Sequence, residues 1–178
     1  VNNIWASRFV VGSGWGTPML VETGVGSAGS PQVAVAATGN AIAVWQQVDG
    51  TRATVFANRF VVGSGWGTPT IITGSTGGGG GLPQVAVDAT GNAIAVWHQS
   101  SSPTNNIWAN QFVVSSGWGT PTLLGTDNGD FFSSPSPQVA MDAMGNAMAV
   151  WQQYDGTANN IFAKRFVVGS GWGALMFP

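Results

Sequence analysis

The amino-acid sequence predicts an all-β protein built from repeated units of four strands. One apolar segment occurs three times with small changes, and each copy ends in a tryptophan. The copies begin at Pro31, Pro83 and Pro137 and end at Trp45, Trp97 and Trp151. Because these tryptophans lie 52 and 54 residues apart, the period is typical of proteins whose units stack or radiate in series. We therefore expect one repeat domain over residues 1–178.

Each copy contains two short strands joined by a tight turn. In the second copy, strand a covers residues 84–87 and strand b covers residues 93–97, with Gly91-Asn92 in the turn between them. Both strands are rich in β-branched or aromatic residues, and glycine and asparagine accept the positive φ that a hairpin turn needs. Alanine alternates with larger apolar residues, so one strand face is small and the other is large. Since neither face is charged, we expect both to be covered.

A second hairpin follows each a–b pair. Its first strand, c, has a pattern close to Ile-Trp-Ala-Asn-Arg-Phe-Val, and its second strand, d, begins with Trp-Gly-Thr-Pro. Proline has no N–H for a β-ladder, so Pro18, Pro69 and Pro121 place strand d at an outer edge. The chain starts with a c–d half unit in residues 1–30. Full units follow in residues 31–82, 83–136 and 137–178.

Four antiparallel strands with two apolar faces in about 52 residues match the unit of a β-propeller blade. The first hairpin resembles that of NHL-type and related bacterial propeller repeats, on the motif Val-Ala-Val-Asp-x-x-Gly-Asn at residues 85–92. The whole unit is similar to tandem repeats of secreted or cell-surface bacterial proteins. This resemblance implies propeller-like blades and an extracellular or cell-surface location, but no particular activity.

The predicted strand order is c–d, then a–b–c–d three times, or about 14 strands. Three blades and a spare outer hairpin are too few to close a ring, and an open sheet needs a cover. We therefore expect the chain to be part of a longer polypeptide or of an oligomer.

The composition argues against several function classes. Only 7% of residues are charged and the formal net charge is -2, so no basic surface is expected to bind nucleic acid or an anionic membrane. Cysteine is absent, which excludes disulfides and thiolate chemistry. No apolar run approaches about 20 residues, so we expect no membrane span.

Candidate catalytic and metal-binding residues are few. His98 is the single histidine, and it occupies a strand position that glutamine holds in the other copies. Asp88 and Asp142 lie beside the a–b turn, where a carboxylate caps its own backbone. Asp127 and Asp130 offer oxygen ligands for Ca²⁺ without the remaining ligands of an EF-hand loop. We accordingly predict no catalytic residue, no metal site and no cofactor.

The candidate binding residues are repeated tryptophans and arginines. Each of these tryptophans follows a turn inside Gly-Trp-Gly, with no neighbouring side chain expected to cover the indole; they are Trp15, Trp66, Trp118 and Trp172. Exposed indoles stack on sugar faces or anchor protein partners, whereas indoles lying flat over the outer strands are structural. The arginines recur in strand c as Arg8, Arg59 and Arg165. They suit either a ligand hydroxyl or the bracing of exposed carbonyl groups.

Two functional hypotheses follow from these residues. The first is a non-enzymatic extracellular binding module, lectin-like and multivalent, in which the glycine-flanked tryptophans and the arginines contact a glycan. The second is a structural protein whose repeats associate with other copies of the chain, because low charge and an incomplete unit both favour association.

Overall fold

A computed structural model gives the fold and describes residues 1–24, 26–48, 50–74, 79–101, 104–126 and 136–176. These residues form β-strands, turns and irregular segments, and none of them is helical. The predicted all-β class is therefore confirmed. Among the same residues, no helix long and apolar enough to cross a membrane is present.

The strands form an N-terminal hairpin followed by three larger sheets. The hairpin contains β1 (Trp5–Ala6), β2 (Phe9–Val10), β3 (Gly14–Trp15) and β4 (Met19–Leu20). The first sheet contains β5 (Ala28–Val35), β6 (Ala41–Val48), β7 (Ala53–Val61), β8 (Gly65–Trp66) and β9 (Thr70–Ile71). The second sheet contains β10 (Gly79–Val87), β11 (Ala93–Ser101), β12 (Thr104–Val113), β13 (Gly117–Trp118) and β14 (Thr122–Thr126). The third sheet contains β15 (Gln138–Met141), β16 (Ala147–Tyr154), β17 (Asn159–Val167) and β18 (Gly171–Trp172).

Each of the three sheets is an antiparallel meander in the order a–b–c–d. Strand c lies between strand b on one side and strand d on the other, so strand d forms the outer edge as its prolines predicted. The register is the same in every sheet, because Trp45 lies opposite Phe56, Trp97 opposite Trp108, and Trp151 opposite Phe162.

Strand d differs from the prediction because it is divided. In the second sheet, β13 and β14 both pair with β12, and Pro121 lies between them. Pro69 separates β8 from β9 in the same way. Since proline donates no N–H, the ladder stops and resumes after it. Strand d is divided in the N-terminal hairpin as well, and strand c of that hairpin is divided into β1 and β2. The described residues therefore form eighteen strands where about 14 were expected.

The two faces of each sheet carry different side chains. We call the face that carries Ile42 and Val44, or their equivalents, the aliphatic face, and the face that carries Ala43 and Trp45, or their equivalents, the tryptophan face. Buried clusters join the aliphatic face of one sheet to the tryptophan face of the next. Between the first and second sheets, for example, Ile42 and Val44 share a cluster with Trp97. The two faces were predicted to differ, and the repeats stack because these different faces pack against each other.

Candidate functional site

The glycine-flanked tryptophans are not isolated on the surface. Each packs against a phenylalanine of its own strand c, with ring centroids 5.4 to 5.6 Å apart and ring planes inclined by 59 to 64°: Trp15 on Phe9, Trp66 on Phe60, Trp118 on Phe112, and Trp172 on Phe166. The expectation that no side chain covers these indoles was therefore wrong. The sequence pattern does not indicate this phenylalanine directly, because it lies six residues before the tryptophan. The hairpin brings the two residues opposite each other.

Exposure separates these four tryptophans into two groups. Trp66, Trp118 and Trp172 are half-buried and pack against the clusters between sheets. Trp15 is 73% exposed, because no further sheet precedes the N-terminal hairpin in the structure. Of the four predicted binding tryptophans, Trp15 is therefore the one with most of its indole available to a ligand.

Two of the three repeated arginines contact the next repeat. The Arg8 guanidinium lies 5.7 Å from the ring centroid of Phe60, and that of Arg59 lies 5.6 Å from the centroid of Phe112. Both geometries are within the range of a cation–π contact. Arg165 is exposed on the outer face of the third sheet. Arg8 and Arg59 thus brace neighbouring units through aromatic rings instead of through the carbonyl groups considered above.

A buried Trp-x-Gln pair recurs in strand b and was not predicted. The indole N–H groups of Trp45, Trp97 and Trp151 donate to the side-chain oxygens of Gln47, Gln99 and Gln153 at 2.8, 3.2 and 2.9 Å. The amide of Gln47 in turn donates to the buried carboxylate of Glu22 at 2.9 Å. A glutamine two residues after each tryptophan was the available signal, since a strand places both side chains on one face.

A groove of about 720 Å³ lies beside the N-terminal hairpin. On one side it is lined by consecutive residues of the hairpin, from Ile4 to Phe9, and on the other by the tryptophan face of the first sheet. Val33 and Val35 on that face are 61% and 63% exposed. The groove contains Trp15 and Arg8, two of the predicted binding residues.

The opposite end of the repeat series also exposes an apolar surface. On the aliphatic face of the third sheet, Ile161 is 60% exposed, whereas its equivalents Val55 and Ile107 are 0% and 2% exposed. Met148 is likewise exposed, and its equivalents in the first two sheets are buried. Among the residues that the structure describes, no further sheet covers this face of the third sheet.

A smaller cavity of about 300 Å³ brings together equivalent residues of three repeats. The glutamines that line it are Gln32, Gln84 and Gln138, and the other lining residues are Ser30, Leu82, Pro83, Ser136 and Pro137. Ser30 and Leu82 both have φ of 50°, and each lies within the register shift of its strand a, between Gly29 and Gln32 or between Gly81 and Gln84. These bulges re-aim the start of strand a in the first and second sheets towards the shared cavity.

The environment of His98 fits a structural side chain. Its ring Nε2 lies 3.1 Å from Oδ1 of Asn105 on the adjacent strand. An amide oxygen orients the ring but supplies no charge for acid–base work.

The turn aspartates cap their own turns, as predicted. Oδ1 of Asp88 accepts hydrogen bonds from the backbone N–H groups of Thr90, Gly91 and Asn92 at 2.8 to 2.9 Å. Burial raises the pKa of Asp88, but hydrogen bonds from Asn92 and Thr90 outweigh it and leave the pKa below the ordinary value. The Asn146 side chain similarly lowers the pKa of Asp142.

The possible calcium ligands Asp127 and Asp130 lie outside the described residues. Within the ranges that the structure describes, no three His, Asp or Glu side chains are grouped as a metal site.

Comparison with known proteins assigns no family. No protein-family model matches the chain, and no curated protein matches it significantly. The two exposed ends of the repeat series are the candidate functional surfaces of this protein.

Proposed function

We propose that this protein is a non-enzymatic structural module that associates head-to-tail with other copies of itself at an extracellular or cell-surface site. The observation that carries the proposal is the exposed aliphatic face of the third sheet. Residues equivalent to Ile161 are fully buried in both preceding sheets. A surface that the same chain buries twice is suited to be buried a third time by a neighbouring molecule.

The other end of the molecule presents the complementary surface. Trp5, Phe9 and Trp15 occupy the positions of Phe56, Phe60 and Trp66 on a tryptophan face, and all three are exposed. Inside the chain, aliphatic faces always pack against tryptophan faces. In the proposed assembly, the third sheet of one copy therefore packs on the N-terminal hairpin of the next.

The energy of such a contact comes from apolar burial. Covering one large aliphatic side chain contributes about 1.5–3 kcal/mol, and Ile161 and Met148 are both available. The contact is heterologous, since the two surfaces differ, so that it extends into a chain or a ring of copies.

We also infer a propeller-like arrangement of the sheets. Strand a of the second sheet, β10, packs against β5 of the first sheet and β15 of the third. The shared cavity of Gln32, Gln84 and Gln138 supports the same inference, because blades that radiate from one axis bring their first strands together.

Sedimentation velocity at increasing protein concentration tests the assembly. The native chain is expected to form species larger than a monomer, and Ile161→Lys should shift it towards the monomer because a charge would enter an apolar contact. Val114→Lys is the matched control, since Val114 is an exposed valine away from both end faces.

A mixing experiment tests the head-to-tail geometry. Trp15→Lys blocks the opposite end, so each variant alone should be monomeric, while an equal mixture should form a dimer and nothing longer. A native chain that remains monomeric at all concentrations would contradict the proposal. So would an Ile161→Lys chain that assembles normally.

Glycan binding is a second candidate, favoured by the exposure of Trp15. Its indole lies in the groove with Phe9 and Arg8, which offers an aromatic face for a sugar ring and a donor for its hydroxyl groups. A glycan array probed with the native chain and with Trp15→Ala tests this candidate. Binding that Trp15→Ala abolishes supports it, and absence of sugar binding by the native chain rejects it.

A further inference from the structure

The floor of the groove beside the N-terminal hairpin is formed by strand a of the first sheet, and it is less covered than strand a of the second sheet. Val33 and Val35 on strand a of the first sheet are mostly exposed, whereas the equivalent Val85 and Val87 of the second sheet are partly buried. Val85 and Val87 pack against the cluster that contains Ile42 and Val44, which belong to strand b of the preceding sheet. The N-terminal hairpin supplies strands c and d but no strand b for Val33 and Val35.

The wall of the groove is an open strand edge. Among the described residues, β1 and β2 pair only with β4 and β3. In each full sheet the other edge of strand c pairs with strand b, for example β7 with β6. Main-chain N–H and C=O groups along an unpaired edge are a template for a further strand.

We propose that this groove binds an a–b hairpin of this same repeat, which completes the partial unit. The resulting pairing follows from the first sheet, where Ala41 lies opposite Phe60 and Trp45 opposite Phe56. The first alanine of the added strand b lies opposite Phe9, and its tryptophan lies opposite Trp5. This inference extends the proposed function from whole copies to a single hairpin as the partner.

The hairpin matches the groove in both shape and chemistry. Its isoleucine and valine cover Val33, Val35 and the small alanines Ala41 and Ala43, as Ile42 and Val44 do within the chain. Pairing along β1 and β2 supplies main-chain hydrogen bonds, and the alternate side chains supply selectivity. Arg8, the charged residue lining the groove, already lies over the Phe60 ring, so an apolar hairpin meets no unpartnered charge there.

A binding measurement with residues 83–99 on a dye-labelled soluble carrier protein tests the proposal. The receptor is the full chain with Ile161→Lys, so that association through the third sheet does not interfere. Failure of the hairpin to bind can then be distinguished from failure of the head-to-tail assembly. We expect saturable one-to-one binding by fluorescence anisotropy. Binding should also slow amide hydrogen exchange across Trp5 to Val10, since these groups become paired.

Matched variants on both partners define the outcome. Val33→Lys in the receptor should weaken binding at least about tenfold, because it buries a charge, while Val114→Lys should have no effect. In the carried hairpin, Ile94→Lys with Val96→Lys should abolish binding, whereas Ala93→Lys with Ala95→Lys on the opposite face should preserve it.

Three results would overturn the proposal. The first is no binding of the carried hairpin, and the second is equal binding of both lysine pairs, which indicates non-specific adhesion. The third is occupancy of the groove by something else. A dimer of the Ile161→Lys chain that Val33→Lys dissociates would identify a second copy as the occupant, and a sugar that binds where the hairpin does not would identify a glycan.

Discussion

Single polar side chains fix the turns of this repeat. The Oδ1 atoms of Asn40, Asn92 and Asn146 accept hydrogen bonds from the backbone N–H groups of Val62, Val114 and Val168 at 3.0 to 3.3 Å. Each asparagine thereby ties the a–b turn to the end of strand c. Asp88 adds a cap of its own in the second sheet, where the first sheet has Ala36. The asparagine hydrogen bond is therefore common to all three sheets, whereas the aspartate cap is not required in every repeat.

Asp88→Ala is expected to lower the free energy of unfolding by about 1 kcal/mol at pH 7, because several turn N–H groups lose their acceptor. The folded pKa of Asp88 is lowered, so its contribution is present above the unfolded pKa of about 4 and is lost as pH falls through the folded pKa. Urea unfolding at pH 7 and in acid measures this difference. Asp142→Ala, at an exposed equivalent, should cost less, and an unfolding difference for Asp88→Ala that grows in acid would contradict the assignment.

At the scale of whole elements, the contact between sheets is the repeated feature. Aliphatic faces meet tryptophan faces, and arginines of strand c reach the phenylalanine of the next repeat. The second sheet breaks this pattern, because Gln111 stands where the first sheet has Arg59. The equivalent ring in the third sheet, Phe166, therefore has no arginine from the preceding repeat.

Gln111→Arg is expected to stabilise the protein by about 0.5–1 kcal/mol, since it places a cation near the Phe166 ring. Arg59→Gln should destabilise it by a similar amount. Thermal unfolding of both variants in the Ile161→Lys chain measures the pair. Arg165→Gln is the control in that chain, because Arg165 is exposed when no second copy covers the third sheet. Destabilisation by Gln111→Arg would show that the repeat equivalence does not extend to this contact.

At the scale of the whole molecule, the sheets are covered unequally. The second sheet has a sheet packed on each face, the third has its aliphatic face exposed, and the N-terminal hairpin has only four two-residue strands. In a repeat protein each unit is stabilised mainly by its nearest neighbours. We therefore expect the interior sheet to be the most stable part of the molecule.

Native-state hydrogen exchange of the Ile161→Lys chain should reflect this order. Amides of β11 and β12 are expected to exchange most slowly, those of β16 and β17 faster, and those of β1 to β4 fastest, because opening an end breaks fewer contacts. The comparison needs no second protein, since each sheet is the control for the others. Uniform exchange across the three sheets would indicate that the chain unfolds as one unit.

The sequence by itself determined the local structure. Alternation of alanine with valine and isoleucine predicted strands with two apolar faces, and the glycine turns predicted hairpins, because both depend on residues close together in the chain. The edge position of strand d followed from its prolines. The capping role of Asp88 followed from its place beside a turn.

Only the tertiary structure decided which surfaces are left uncovered. Nothing in the local sequence distinguishes Val33 from Val85, or Ile161 from Ile107, since their neighbours in the chain are nearly the same. The members of each pair differ in exposure because one has a sheet packed against it and the other does not. The Arg–Phe contacts and the surroundings of Trp15 depend in the same way on partners many residues away. Packing between repeats therefore forms the candidate site, whereas the repeat sequence already predicts the strands that build it.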